Sequence, residues 1–391
     1  MTLPPALDLF AGPLARRHIE QHGLRPRHVR TIPAAAGGPK GLILGPLDRF
    51  IFGDWLPQSD QTVDLVGASI GAWRMATACL AAPVPAFEQL ETGYIHGDMK
   101  APPGRRLPLP EQVSATFAAN LQTMFAGREE EILSHPRYRL HVIASRGRHV
   151  LGREGPWRTA AGYLGAALTN AASRRAMGAW IERVVFSGPP GPGRPGMAPM
   201  PFDTRDYRTR QVPLTPENFF PALQASGSIP FVLRAVHDVP GAPRGAYWDG
   251  GITDYHLHLA YRTPDSIAGG ARHQRAGGQK HAEKAAPEQA GASLVLYPHF
   301  QRAVVPGWLD KGLRWRHRAT SRLDAMLVLA PNPAWVATLP GGKLPDRSDF
   351  QRLTHAERVR AWTSAVGAAR QLADEFGRWL EHCDPSGLQA L

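Results

Sequence analysis

Twice within its first 80 residues the chain passes from a β-rich run through a glycine turn into an apolar, helix-like stretch. Residues 28–35, with Val29 and Ile32, read as a strand running into Ala36-Gly-Gly-Pro-Lys-Gly41, and a helix is predicted from Leu42. Thr62-Val-Asp-Leu-Val66 is the second β-rich run. Gly67-Ala-Ser-Ile-Gly71 and a helical 72–80 follow it. Strands that alternate with helices predict an α/β fold with layers around a central, mainly parallel sheet. Further strands are expected at 138–144, 183–186, 293–297 and 325–330, and a helix at 162–177. Val359, Trp362, Val366, Leu372, Phe376 and Leu380 recur at helical spacing, which predicts one long helix over 355–382. Residues 7–22 read as partly helical, interrupted at Gly12-Pro13.

With 391 residues, the chain is long enough for two or three domains or for one elaborated one. The reading here is one domain over 1–391 with its core at 25–262. Residues 263–292, poor in large apolar side chains, read as a flexible surface insertion. The remaining 293–391 complete or cover the core. Glycine and proline, 40 and 37 residues, are abundant but below the ~25–30% that marks low-complexity disorder. They concentrate in 187–201, which reads as a loop. No run approaches the ~18–20 apolar residues of a transmembrane helix. Residues 1–6 carry no basic segment leading into an apolar one, so no secretory leader is expected. The two cysteines, Cys79 and Cys383, exclude a disulfide scaffold and fit a reducing compartment, so a cytoplasmic location is expected.

The chemistry concentrates in three short stretches. Gly67-Ala-Ser-Ile-Gly71 is a G-x-S-x-G placed between a strand and a helix, where a tight turn can present Ser69 as a nucleophile. The alternative is an ordinary turn in which Ser69 caps the helix. Gly37-Gly-Pro-Lys-Gly41 is a second glycine-rich turn. Gly41 stands where a phosphate-binding P-loop needs Ser or Thr, so the turn reads as an anion-facing set of backbone N–H groups or as a simple cap. Pro39 has no N–H, which leaves Gly37 and Gly38 as the donors. Asp249-Gly-Gly251 lies 180 residues beyond Ser69. It reads as a turn with positive φ that points a carboxylate away from the chain, or as a loop aspartate satisfying its own turn.

In this order the three stretches resemble the patatin-like phospholipase family. Its pattern is a glycine-rich motif ending in Lys/Arg-Gly, then G-x-S-x-G, then D-G-G or D-G-A. Ala225-Ser-Gly-Ser-Ile-Pro-Phe231 also looks like that family's segment before the aspartate. The resemblance covers about residues 29–260. It departs at Ala36, where the family usually has a third glycine, so the strained position must fall on Gly37 or Gly38. The resemblance implies a three-layer α/β/α patatin-like fold and a Ser69–Asp249 dyad without a catalytic histidine. It further implies a Gly37/Gly38 oxyanion hole and a supporting frame of Lys40, Gly41, Gly67, Gly71, Gly250 and Gly251. The implied activity is hydrolysis of carboxylic esters in lipids, of phospholipase A or lysophospholipase type, with no cofactor and no metal. Tyr247 and Trp248 are expected to wall Asp249 and raise its basicity. The two loops at 187–201 and 263–292 are expected to cover the site.

Other readings compete with this one. His256 and His258 follow Asp249 in the order of a Ser-Asp-His triad, and His256-Leu-His258 could offer two metal ligands on one strand face. Neither H-E-x-x-H nor C-x-x-C occurs. The chain could also be a non-catalytic lipid- or membrane-binding protein on the same fold, as Ala36 and Pro39 would suit, or an esterase of small soluble acyl esters. The 45 Lys and Arg against 33 Asp and Glu leave a net charge of +12, which suits an anionic partner or reflects an arginine-rich composition. Residues 308–322 mix Trp308 and Trp315 with five basic side chains. They suggest a peripheral contact with an anionic membrane, or a solvated helix with both tryptophans packed inward. The basic residues are diffuse, so nucleic acid is not expected as a partner. Oligomeric state is not encoded in any motif here.

Overall fold

The computed structural model describes residues 4–98, 108–262 and 293–391. The insertion expected at 263–292 lies outside the described residues. The fold is α/β with a large, mostly parallel central sheet. In chain order its strands are β1 (Leu7–Ala11), β2 (Val29–Ala34), β3 (Val63–Ala68), β4 (Tyr138–Gly147), β5 (Ile181–Ser187) and β6 (Thr209–Pro213). They continue with β7 (Val236–His237), β8 (Ala246–Asp249), β9 (Leu294–Pro298), β10 (Met326–Pro331) and β11 (Leu388–Ala390). The spatial order is β11-β1-β10-β9-β2-β3-β4-β5-β6, with β8 also on β4 and β7 on β8. The run from β10 to β4 is parallel throughout. Residues 293–391 thus supply strands inside the sheet, because β9 pairs with β2 and β10 with β1.

The central strands are buried on both faces, as a covered parallel sheet requires. Successive side chains alternate between two cores. Leu65, Val142, Val184, Leu296 and Leu327 join one. Val66, Ile143, Val185, Tyr297 and Val328 join the other. The longer helices are α1 (Pro13–His22), α2 (Ile70–Ala78), α3 (Pro83–His96), α4 (Pro110–Phe125), α5 (Pro156–Ala172), α6 (Pro216–Gly227), α7 (His355–Ala368) and α8 (Arg370–His382). Among the described residues, no helix is long and apolar enough to cross a membrane.

Several local expectations change. Residues 7–11 form β1 rather than helix, because pairing with β10 buries Leu9 and Phe10 on opposite faces. Gly12 then lets the chain turn into α1, since a Cβ there would lie 2.2 Å from the Leu323 carbonyl oxygen. The helix expected from Leu42 is an irregular succession of tight, regular and wide turns over 38–58. The single helix expected at 355–382 is two, α7 and α8, divided at Ala369. The basic stretch 308–322 holds only short turns. Trp315 is 64% exposed rather than packed inward.

One register detail positions the site. β3 runs parallel to β4 and ends where Ala68 pairs with Ile143. β8 runs antiparallel to β4 and ends where Asp249 pairs with Ala144. The two strands therefore approach head-on along one edge of β4, and their ends meet at adjacent residues.

Candidate active site

Ser69 follows β3 directly and precedes α2. Its backbone has φ 56° and ψ −130°, a conformation that costs a non-glycine residue about 1–3 kcal/mol and persists only under constraint. Two glycines make the turn sterically feasible. A Cβ on Gly67 would lie 2.4 Å from Ala72 Cα, and one on Gly71 would lie 1.9 Å from the Ala34 carbonyl oxygen. Ser226, at the end of α6, braces the turn. Its Oγ accepts the Ser69 N–H at 2.9 Å and donates to the Ile143 carbonyl at 2.6 Å. The Ser226 carbonyl accepts the Gly250 N–H at 3.0 Å, so one residue ties the two chain ends together.

The Ser69 hydroxyl does not cap α2. It donates to Asp249 Oδ2 at 2.7 Å, and both residues are only 5% exposed. Asp249 Oδ1 accepts the Gly251 N–H at 2.7 Å. Burial pushes the Asp249 carboxyl above its ordinary pKa. The Ser69 bond, Arg347, the Gly251 N–H and Lys311 oppose that rise in decreasing order. The sequence suggested a positive-φ turn at Asp249-Gly-Gly. Instead Gly250 is helical, with φ −61°, and both glycines serve close approach. A Cβ on Gly250 would lie 2.1 Å from the Ile143 carbonyl oxygen, and one on Gly251 2.6 Å from Ala36 Cβ.

The first glycine turn lies beside this pair. The strained position falls on Gly38, with φ +57°. Gly37 is extended and lines the same cavity as Ser69 and Asp249. Its N–H has no acceptor among the described residues. Gly38 borders a smaller cavity behind, shared with Tyr94. The Ala36 N–H is committed to the Tyr255 carbonyl at 3.0 Å. Lys40 lines the main cavity, with Nζ 5.5 Å from the Phe300 ring centroid. Space does not demand glycine at Gly41, where a Cβ would meet Ile70 at an ordinary 3.6 Å.

The cavity measures about 260 Å³. Its apolar walls are Ile229, Tyr255 and Trp308, not the expected Tyr247 and Trp248. Those two pack into separate cores, Tyr247 beside Phe186 and Trp248 beside Tyr163. No residue of 187–201 lines the cavity, so that loop does not cover it. The other expected cover, 263–292, lies outside the described residues. Instead the C-terminal part supplies Trp308, Lys311, Asp346, Arg347 and Ser348. No motif marked Arg347. Lys311 stood inside the basic stretch, and Ser226 inside Ala225–Phe231, without a role assigned to either.

The histidines of the competing triad point elsewhere. His256 Nδ1 lies 3.1 Å from the Ala303 carbonyl and also accepts the Val305 N–H. His258 contacts the Val304 carbonyl and Thr320 Oγ1. Burial first, then His299, holds His256 well below the ordinary histidine range, and burial holds His258 near 4. Among the described residues, no group of three or more His, Cys, Asp or Glu side chains could hold a metal ion.

Fold and site together define an α/β protein with a buried Ser–Asp pair at a strand-to-helix elbow. No protein-family model, no curated protein and no solved structure matches the chain.

Proposed function

We propose that this chain is a serine acyl hydrolase that cleaves carboxylic esters of lipids, of phospholipase A or lysophospholipase type, on a patatin-like three-layer α/β/α fold. The observation that carries the reading is the 2.7 Å bond from Ser69 Oγ to Asp249 at a strained elbow. Cores on both faces of the sheet support the layered arrangement.

In this reading Ser69 Oγ attacks the ester carbonyl as its proton passes to Asp249. The Gly37 N–H, with Gly38 holding the turn's shape, and the N-terminus of α2 face the developing oxyanion. Collapse of the tetrahedral intermediate expels the alcohol, which takes the proton from Asp249. Asp249 then draws a proton from water, whose oxygen attacks the acyl-enzyme, and it returns that proton to the departing Ser69 Oγ as the acid is released. The raised basicity that burial gives Asp249 suits this work.

An apolar stripe favours a lipid surface as the source of substrate. Trp157, Leu164 and Leu168 share one face of α5 and are 86%, 63% and 66% exposed. Tyr163 of the same helix packs against Phe231, which lies two residues beyond Ile229 of the cavity wall. Peripheral contact with an anionic membrane belongs to this reading. So does a cytoplasmic location, which the two free cysteines support. The small volume of the cavity favours a second reading, an esterase of short soluble acyl esters.

The test is hydrolysis of a short-chain nitrophenyl ester and of a phospholipid by wild type, Ser69→Ala and Asp249→Asn. Loss of activity in both folded variants is expected, and the better substrate sets the class. Activity that survives Ser69→Ala removes the assignment. An inert wild type that still co-sediments with vesicles favours a non-catalytic lipid-binding role.

A further inference from the structure

Three cations converge on the cavity that holds the dyad: Lys40, Lys311 and Arg347. They come from the glycine turn, the stretch after Trp308 and the loop before α7. Among the described residues, none of the three pairs with a carboxylate at ion-pair distance. Two carboxylates also line the cavity. Asp346 accepts from Ser348 and shares Lys343, at 2.9 Å, with Asp349, at 2.5 Å. With Lys343 shared between two carboxylates, the four cations at the site face Asp249, Asp346 and Asp349, and the cavity carries a surplus of one positive charge.

That surplus outlasts the chemistry. Transfer of the Ser69 proton to Asp249 moves one negative charge to the oxyanion without changing the total. The cations therefore exceed what ester hydrolysis alone requires. They are also held together against their own repulsion. Burial first, then Arg347 and Lys40, depresses the Lys311 ammonium to about 8. Aromatic faces seat Lys311, with Nζ 4.0 Å from the Tyr255 centroid and 5.5 Å from that of Trp308.

The supports are buried and satisfied. Asp310, next to Lys311, accepts from Asn170 at 2.8 Å, Arg174 at 3.1 Å and Arg316 at 2.8 Å. Asp349, two residues from Arg347, accepts from Trp362 Nε1 at 2.9 Å and from the Asp346 N–H at 3.0 Å. Gly38 leaves room for the guanidinium, because a Cβ there would lie 3.3 Å from Arg347 Nε.

We propose that Arg347 and Lys311, with Lys40 completing the rim, form a subsite for a phosphate or carboxylate group that the substrate carries beside its ester. The inference rests on the hydrolase reading and narrows it to anionic acyl esters. A planar guanidinium binds such an oxyanion through two parallel hydrogen bonds, and the ammonium groups add point charges. The anionic group has two sources, a lipid headgroup or a soluble acid ester.

Two matched substrate pairs separate the sources. One is 4-nitrophenyl butyrate against mono-4-nitrophenyl succinate. The other is a monoacylglycerol against the lysophosphatidate of the same chain. Wild type is expected to prefer the anionic member at least about tenfold in kcat/KM, in whichever pair matches the natural source. Arg347→Gln and Lys311→Met should each cut that ratio about tenfold, mainly through KM, and Arg347→Lys should recover part of it. A ratio near one in both pairs, or one unchanged in folded Arg347→Gln, overturns the subsite. If wild type is no more active than Ser69→Ala on all four esters, the hydrolase reading fails instead. The subsite is then decided by calorimetric titration with inorganic phosphate. Binding that disappears in Arg347→Gln supports it, and equal heats in both proteins refute it.

Discussion

Ser226→Ala tests whether the elbow is held by its brace. The substitution removes one oxygen from a fully buried position. The Ser69 N–H loses its 2.9 Å acceptor and the Ile143 carbonyl loses its 2.6 Å donor. An orphaned buried N–H costs about 1–3 kcal/mol, and the lost hydroxyl bond adds about 1. The expected destabilisation is therefore about 2–4 kcal/mol. The second effect is on geometry. Ser69 sits at φ 56° because its surroundings over-determine it, and Ser226 is one of those surroundings. Without the brace the elbow relaxes, and a shift of about 1 Å in a nucleophile costs on the order of 100-fold in rate. Urea denaturation would give the stability change, and turnover of a short nitrophenyl ester would give kcat and KM separately. A fall in kcat with KM nearly constant is expected, since Ser226 positions the nucleophile without lining the cavity. An unchanged urea midpoint together with unchanged kcat would refute the reasoning.

Three further outcomes are expected. In the proposed mechanism Asp249 must be ionised to accept the serine proton, so kcat/KM should fall as pH drops through a pKa above the ordinary aspartate value. Because burial raises that pKa in the folded state, ionisation works against folding, and stability is lost as pH rises from the unfolded value through the folded one. Asp249→Asn should therefore abolish activity yet raise the urea midpoint at neutral pH, with the gain vanishing below about pH 4; an equal or lower midpoint at pH 7 contradicts this. Replacing Trp157, Leu164 and Leu168 together by Ser should weaken co-sedimentation with anionic vesicles at least tenfold, as loss of about 1.4 kcal/mol of apolar contact requires. Undiminished binding with unchanged circular dichroism would place the membrane contact elsewhere.

Much of the parallel sheet could be read from local pattern. β2 with its glycine turn, β3 with its elbow, and β4, β5, β9 and β10 all announce themselves as short apolar runs at predictable places. The strands misread or missed are those fixed by long-range pairing. β1 is a strand because β10 lies beside it, and β8 is four residues whose place depends on β4. The pairing of Ser69 with Asp249 was legible for a related reason. Glycines flank Ser69 and follow Asp249 because backbone atoms crowd both turns, so steric demand leaves a trace in composition. Arg347 and Lys311 left no such trace. Each is one basic residue in a basic chain, and only the folding of 293–391 onto the core brings them to the cavity. The apolar walls were misassigned because neighbours of Asp249 along β8 diverge into separate cores, while the true walls come from other segments.

The head-on meeting of β3 and β8 along β4 also sets when Ser69 and Asp249 can meet. During synthesis at about 5–20 residues per second, Asp249 emerges roughly 9–36 s after Ser69, which lies 180 residues earlier. Through that interval the nascent chain holds a serine with no base, and β4 has an unfilled edge beyond Ile143. On the hydrolase reading, activity cannot precede the closing of that edge. On the same reading, activity in refolding should lag behind the return of helical circular dichroism, because the 180-residue loop between Ser69 and Asp249 must close before the serine proton has an acceptor.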